Sequence, residues 1–444
     1  MKLPRRLQIL SAALLLSAAS QLAAQTPGIP TTITIDQAVQ IALDRNLEVE
    51  RARIGVESAG ARLTSAFGAF LPTVNLSAGY TKPLTSGDVV IQGTKIPGNQ
   101  PDNILSANAS TSVVLFNGFA NSANYSAAQS SYDATLETLN KTRADIAFQA
   151  RSTFLNALRA EQIMDVRKND LEVAREQLAR LKGLVEGGVG LMTSVYSQEA
   201  EVANGELALE QAITDATIAR NTLKQLLNVS PLTELQLSNA GVAATIDTNE
   251  IARNRAAFRN VGELAKQQLE QRREVEAARL NIDAARFLVD ASKGSYYPSL
   301  SATLGYSWQK VPEYSSDNAD VSLNLSYSPF DGFRTSESVQ LAQAQLKQSE
   351  LELQQLQVQL NAELQQAIAR LDGAERQLLA ANKSVQASRQ SRIAADERYK
   401  VGVGNYSDYL LANAQYLNAQ INNVNAVFNY RLALYEVRYQ LGQE

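Results

Sequence analysis

The side chains that could do chemistry in this 444-residue chain are few in kind, because it contains neither histidine nor cysteine. Without imidazole or thiol there is no Ser-His triad, no thiolate nucleophile, no disulfide and no zinc site of the usual N/S type. Carboxylates, arginines and glycine-rich turns remain. Acid-base groupings occur at Arg272-Arg273-Glu274 and Glu50-Arg51, and a glycine run at Gly187-Gly188-Val189-Gly190. The run has no preceding strand and no following Gly-Lys-Ser/Thr, so it does not match a phosphate-cradling loop. The charged groupings fall on long helical segments and are expected to form a solvated face. No catalytic acid or base, no metal site and no cofactor site is assigned.

The elements that carry these residues start with an export signal. Lys2, Arg5 and Arg6 precede an apolar run over 7–19 and small residues up to Ala24. This is the layout of a signal peptide, expected at 1–24, and it is too short to span a bilayer. The formal charge is −4, and removing three cations leaves the rest more acidic still, which disfavours nucleic acid as a partner. No later stretch reaches the roughly 18–20 apolar residues of a membrane helix.

Beyond the leader the chain reads as a duplication. Pro72 leads to Gly79-Tyr80 at the spacing by which Pro298 leads to Gly305-Tyr306. Phe116-Asn117-Gly118-Phe119 is matched by Phe330-Asp331-Gly332-Phe333, Gly188-Val189-Gly190 by Gly402-Val403-Gly404, and Leu227 by Leu441. The repeats are set at 25–231 and 260–444, around a connecting segment at 232–259. Each reads as helix, β-hairpin (72–116 and 298–329), long helix and return helix. The opening helices are expected over 36–66 and 260–292, with Thr34 or Asp36 as a cap. The long helices, 120–186 and 335–400, contain neither proline nor a turn cluster. At about 1.5 Å per residue each is roughly 100 Å long, which suggests a coiled coil. Leu346, Leu353 and Leu360 step by seven, a four-residue stutter reaches Leu364, and seven-residue steps resume through Leu371, Leu378 and Val385. Return helices are expected over 194–227 and 407–441.

Four segments alternate apolar and polar residues, for example Val74-Asn75-Leu76-Ser77-Ala78 and Val321-Ser322-Leu323-Asn324-Leu325. Each is about 9–11 residues long, the length of a tilted membrane strand with one face to lipid and one to a lumen. A half-buried sheet in a soluble domain shows the same alternation, so the pattern alone leaves both readings open. Loops are placed at 82–103 and 309–319. Four strands cannot close a barrel, so if they span a membrane several chains must share one.

The duplication, the hairpins and the long helices together resemble the TolC-like outer-membrane efflux family over essentially the whole mature chain. Thr34-Ile35-Asp36-Gln37-Ala38-Val39, Leu71-Pro72, Tyr297-Pro298 and Tyr399-Lys400-Val401-Gly402-Val403-Gly404 are similar to its local patterns. The resemblance implies an α+β membrane protein in which four strands per chain join a trimeric 12-stranded β-barrel in the outer membrane. A long α-helical coiled-coil barrel would cross the periplasm below it. The partners implied are two further copies, outer-membrane lipid, a periplasmic adaptor and an inner-membrane transporter. The function implied is a passive exit duct for efflux or type I secretion, with no enzyme activity. A trimeric coiled-coil stalk or a soluble periplasmic scaffold is the alternative.

The resemblance also assigns residues. Gly187, Gly188 and Val189, and Val401, Gly402 and Val403, would be the hairpin tips that meet the adaptor, with Gly187 standing where valine is usual. Tyr399 and Asp408 would close the periplasmic end. Ser194 stands at the equivalent of Asp408 in the first repeat, and Leu411 where family members often carry a second aspartate. Simpler roles are available for both sets. The glycines could only end helices, and Asp408 could cap the helix that starts beside it.

Overall fold

The computed structural model describes residues 31–84, 89–91, 94–96, 103–240, 242, 246, 248–257 and 269–443. The expected leader at 1–24, and the expected start of the second opening helix at 260–268, lie outside them. A short strand β1 (Thr32–Ile33) leads into α1 (Ile35–Arg45) and α2 (Leu47–Gly68). Thr34 caps α1 through a reciprocal box: Gln37 N–H donates to Thr34 Oγ1 at 3.3 Å, and Thr34 N–H to Gln37 Oε1 at 2.9 Å. The single helix expected over 36–66 is in fact broken at Asn46. Its backbone is extended, its side chain accepts from Glu48 N–H at 2.8 Å, and its Nδ2 donates to the Leu226 carbonyl at 2.9 Å. Asn46 thus starts α2 with its own side chain while bonding a distant helix end, which sequence periodicity does not register.

After α2 come β2 (Thr73–Thr81), a small hairpin of β3 (Val89–Ile91) and β4 (Thr94–Ile96), and β5 (Ile104–Asn117). Helices α3 (Ala120–Glu186) and α4 (Met192–Leu226) follow. The connecting segment contains β6 (Gln236–Leu237), which pairs in parallel with β1, and α5 (Thr248–Ala257). Then come α6 (Arg273–Lys293), β7 (Ser299–Lys310), β8 (Ser315–Ser326), α7 (Arg334–Lys400) and α8 (Tyr406–Gln440). The long helices α3 and α7 have 67 residues each, and the return helices α4 and α8 have 35 each. No described helix is long and apolar enough to cross a membrane.

The apolar core lies around the middle of the long helices and not at the sheet. Phe154, Leu155 and Leu158 pack there with α1, Leu223 and Leu227. The stuttered leucines Leu360, Leu364, Leu371 and Leu378 are buried against Val427, Tyr430 and Val437.

The two hairpins merge into one antiparallel sheet of order β2-β5-β7-β8. Its register aligns the alternation across all four strands. Val74, Thr111, Leu304 and Val321 form one row, and Leu76, Ala109, Tyr306 and Ala319 the next. The interleaved rows are polar, such as Ser77, Asn108, Ser307 and Asn318. Over most of the strand length one face is therefore apolar and the other polar, with Asp317 and Lys310 on the apolar face only at its far end. The apolar face is uncovered, with Leu76 78% and Val321 76% exposed. Much of the loop expected at 309–319 is strand, since β8 begins at Ser315 and only 311–314 turns, closed by Val311 N–H donating to the Tyr314 carbonyl at 2.9 Å. Ser, Asp and Asn at 315–318 disguised it.

Each strand-to-helix corner is built alike. Gly118 and Phe119 have φ of 65° and 64°, and Gly332 and Phe333 have 70° and 69°. In each corner two phenylalanines meet edge to face, at 5.3 Å for Phe116–Phe119 and 5.5 Å for Phe330–Phe333. The corners differ in space. A Cβ on Gly118 would lie 2.2 Å from the Gly294 carbonyl oxygen, whereas nothing lies within 4 Å of one on Gly332. Gly332→Ala should therefore cost only the left-handed backbone term, about 1–2 kcal/mol, and Gly118→Ala a further ~1–3 kcal/mol for overpacking. Thermal loss of the helical circular dichroism signal in detergent checks this, and equal midpoints for the two variants would refute it.

Candidate functional site

The two helical hairpins end side by side in matching turns. Helix α3 closes with Gly188 N–H donating to the Val185 carbonyl at 2.9 Å and Val189 N–H to the Leu184 carbonyl at 3.0 Å. In α7, Gly402 N–H donates to the Tyr399 carbonyl at 3.1 Å and Val403 N–H to the Arg398 carbonyl at 3.0 Å. This is a Schellman-type stop. It requires a left-handed residue, supplied by Gly188 (φ 77°) and Gly402 (φ 78°). Gly187 has φ −75°, so its backbone does not demand glycine, and Val401 occupies the same place in the other turn at φ −88°. Helix termination thus accounts for Gly188 and Gly402, but not for the valines. Val189 and Val403 project from the turns, 79% and 68% exposed, with Val401 and Leu191 exposed beside them.

Just above the turns the hairpins are joined by a tyrosine cluster. Tyr399, at the end of α7, packs on Tyr406 with ring centroids 5.1 Å apart, and Tyr406 stacks on Tyr409 at 5.8 Å. Leu181 and Val195 of the first hairpin bury the other side of the cluster. The Tyr406 hydroxyl donates to Gln198 Oε1, and Gln198 Nε2 donates to the Ala174 carbonyl at 2.7 Å. Gln198 is 2% exposed, so this chain of bonds runs through the packed interior. Burial pushes the phenols of Tyr406 and Tyr409 above their ordinary pKa, which keeps both neutral. Further from the tips, Asn413 Nδ2 donates to Asp170 Oδ1 at 3.4 Å, and Arg392 sits 4.9 Å over the Tyr416 ring. Burial raises the Asp170 pKa, against the opposing pull of Asn413, Arg167 and Arg392.

The structure places Tyr399 in this cluster but does not bring Asp408 to it. Asp408 is exposed on the first turn of α8, and among the described residues no helix N–H donates to its carboxylate. The capping role is therefore not made, although the charge does sit at the favourable end of the helix. Leu411, one turn on, is 62% exposed. Ser194, the counterpart of Asp408, is buried, and a carboxylate there would be desolvated among apolar neighbours. Sequence reasoning missed Gln198, Tyr406 and Tyr409. Their signal was present, since the first repeat has Met192 and Val195 where the second has Tyr406 and Tyr409.

A second correction concerns Arg272 and Glu274, expected on a solvated face. They lie at the rim of a cavity of about 710 Å³ among α1, α3, α6 and the end of α8. Arg272 is buried, paired with Glu274 at 2.6 Å and Gln440 Oε1 at 2.6 Å, over the Tyr439 ring. Glu48, Glu50, Arg51 and Arg53 form exposed i,i+3 pairs, as expected of a solvated face.

A family model described as outer membrane efflux protein matches residues 38–229 and 264–443. Protein CyaE of Bordetella pertussis is 24% identical over 415 residues, covering 92% of this chain and 84% of that one. Outer membrane efflux protein BepC of Brucella suis is 22% identical, covering 92% and 85%. The crystal structure of the Campylobacter jejuni CmeC outer membrane channel superposes with a TM-score of 0.75 at 19% identity, covering 92% of this chain and 85% of that one.

The tyrosine junction is open to test. Tyr406→Phe leaves the buried Gln198 oxygen without its donor and should destabilise by about 1–3 kcal/mol. Tyr399→Phe, which keeps the ring packing and among the described residues removes no hydrogen bond, should change stability by much less. Denaturant unfolding of both variants decides it, and equal losses would contradict the assigned geometry.

Proposed function

The chain belongs to the outer membrane efflux protein family, and we propose that three copies of it build one passive exit duct. It is an outer-membrane channel of efflux or type I secretion, with its helical part in the periplasm. In the proposed assembly each copy supplies its four strands to a 12-stranded barrel, and the helical hairpins continue as a tunnel. The repeats 25–231 and 260–444 would form the wall, with 232–259 as a belt around the middle of the helices.

One observation carries this reading. The sheet has an apolar face, uncovered within the chain, and two outer edges, β2 and β8, that pair with nothing among the described residues. Lipid accounts for the face, and neighbouring copies for the edges. Aromatic residues border the face at both ends. Tyr80 and Trp308 stand at the far end of the strands, and Phe119, Tyr297, Tyr327 and Phe333 at the helix end. Aromatic girdles at the two interfaces are a property of membrane barrels.

The tip residues would be the docking surface for a periplasmic adaptor, which couples the duct to an energised transporter in the inner membrane. Exposed valines on a glycine turn suit a shallow apolar contact between helix ends, and Val189 and Val403 are the side chains offered. Tyr399 and Asp408 would contribute to closure of the same end: Tyr399 by packing against Tyr406, whose hydroxyl joins the two hairpins, and Asp408 as a charge repeated in each copy. Opening would then have to part the hairpins at the Tyr406–Gln198 contact.

Replacing both exposed valines by glutamate tests the docking role without disturbing packing. Val189→Glu with Val403→Glu should abolish adaptor-dependent export while the protein still sediments with outer membranes and conducts in planar bilayers. Undiminished export would remove the tips from the interface.

A further inference from the structure

We infer that Asp320 sets the ion selectivity of the barrel, an assignment that rests on the trimeric duct proposed above. The polar face of the sheet, which lines the lumen in that reading, is built almost entirely from serine, threonine, asparagine and glycine. Among the described residues of the four strands it carries one charged side chain, Asp320. Lys310 and Asp317 fall on the rows of the other face, at the far end of the strands. The register row that contains Asp320 is Asn75, Ser110, Gly305 and Asp320. The rows on either side of it on that face hold Ser307 with Asn318 and Thr303 with Ser322. Among the described strand residues no cation on this face offsets the carboxylate.

The wall is shaped around that carboxylate. A Cβ on Gly305 would lie 2.9 Å from Asp320 Oδ1, so the acid group rests across a glycine that leaves it room. Glycine in the middle of a strand weakens it and marks a place where another group comes close. Here the group is the one charge on the lumen face. Its position is fixed by a 12-residue strand paired along its whole length with β7, and not by a loop.

The size of the effect follows from the barrel. Twelve strands about 4.8 Å apart and tilted by about 40° give a wall roughly 12 Å in radius, so three carboxylates stand about 10 Å from the axis. At 0.1 M salt that distance is about one Debye length. Three charges at this distance, screened through water, enrich cations about twofold on the axis and deplete anions by the same factor. A cation-to-anion permeability ratio near fourfold is therefore expected from this ring. At 1 M salt the Debye length is about 3 Å and the ratio falls close to one. The tip charge at Asp408 is a separate ring at the other end of the duct, so the two contributions can be taken apart.

The test is the reversal potential of purified protein in planar bilayers under a KCl gradient, with Asp408→Asn as the background. Adding Asp320→Asn should lower the cation-to-anion ratio about fourfold near 0.1 M KCl and leave it unchanged near 1 M. A change of less than about 1.5-fold at low salt would overturn the assignment while leaving the duct intact. Absence of any conductance from the unsubstituted protein would instead overturn the duct reading, and this inference with it. Because the chain has no cysteine, Asp320→Cys provides a second variant whose charge is set after folding. A trimethylammonium methanethiosulfonate should turn the inserted channel toward anions, and a sulfonate reagent should restore cation preference. Conducting channels that respond to neither reagent would place residue 320 off the lumen.

Discussion

A bilayer offers no hydrogen bonds, so every strand that enters it must find partners for both of its edges. Four strands in the order β2-β5-β7-β8 satisfy their inner edges and leave β2 and β8 unpaired among the described residues. The rest of the structure depends on that constraint. It explains why the apolar face can remain uncovered and why the core lies far from the sheet. In the proposed assembly copies of the same chain meet at the edges, since the sheet is antiparallel throughout and β8 can meet the next β2 in the same sense.

The helices turn this local demand into a long object. Each hairpin ends in a corner with two consecutive left-handed residues, and a 67-residue helix begins immediately after it. Sheet and long helices are therefore continuous backbone, with Gly118 packed hard against Gly294 where the first corner crosses the end of α6. The lower ends are equal in backbone and unequal in side chains. Both turns use one left-handed glycine, but only the second repeat carries Tyr399, Tyr406, Tyr409 and Asp408. The two halves share a backbone frame, and their differing side chains supply the contact that holds the hairpins together.

Much of this was legible in the residues. Period-two alternation located the strands, and the leucine stutter located the buried stripe of α7. What stayed hidden depended on contacts between distant segments. Asn46 breaks the opening helix because Leu226, remote in sequence, offers it a carbonyl. Ser315 to Asn318 read as loop because four consecutive polar residues have the composition of a turn. Arg272 read as surface because its partners Glu274 and Gln440 are gathered only by the fold. At the tips the glycines were legible as turns, whereas the Tyr406–Gln198 junction became visible only when the two hairpins were seen in contact.

The central claim is that the open edges of this sheet are closed by two further copies. Cysteine pairs test it on a chain with no cysteine of its own, one partner placed along 73–81 of β2 and the other along 315–326 of β8. Oxidation in outer membranes should yield, for pairs in register, a covalent ladder of monomer, dimer and trimer that stops at three. A ladder continuing past three, or register pairs that never link one copy to the next, would contradict the account.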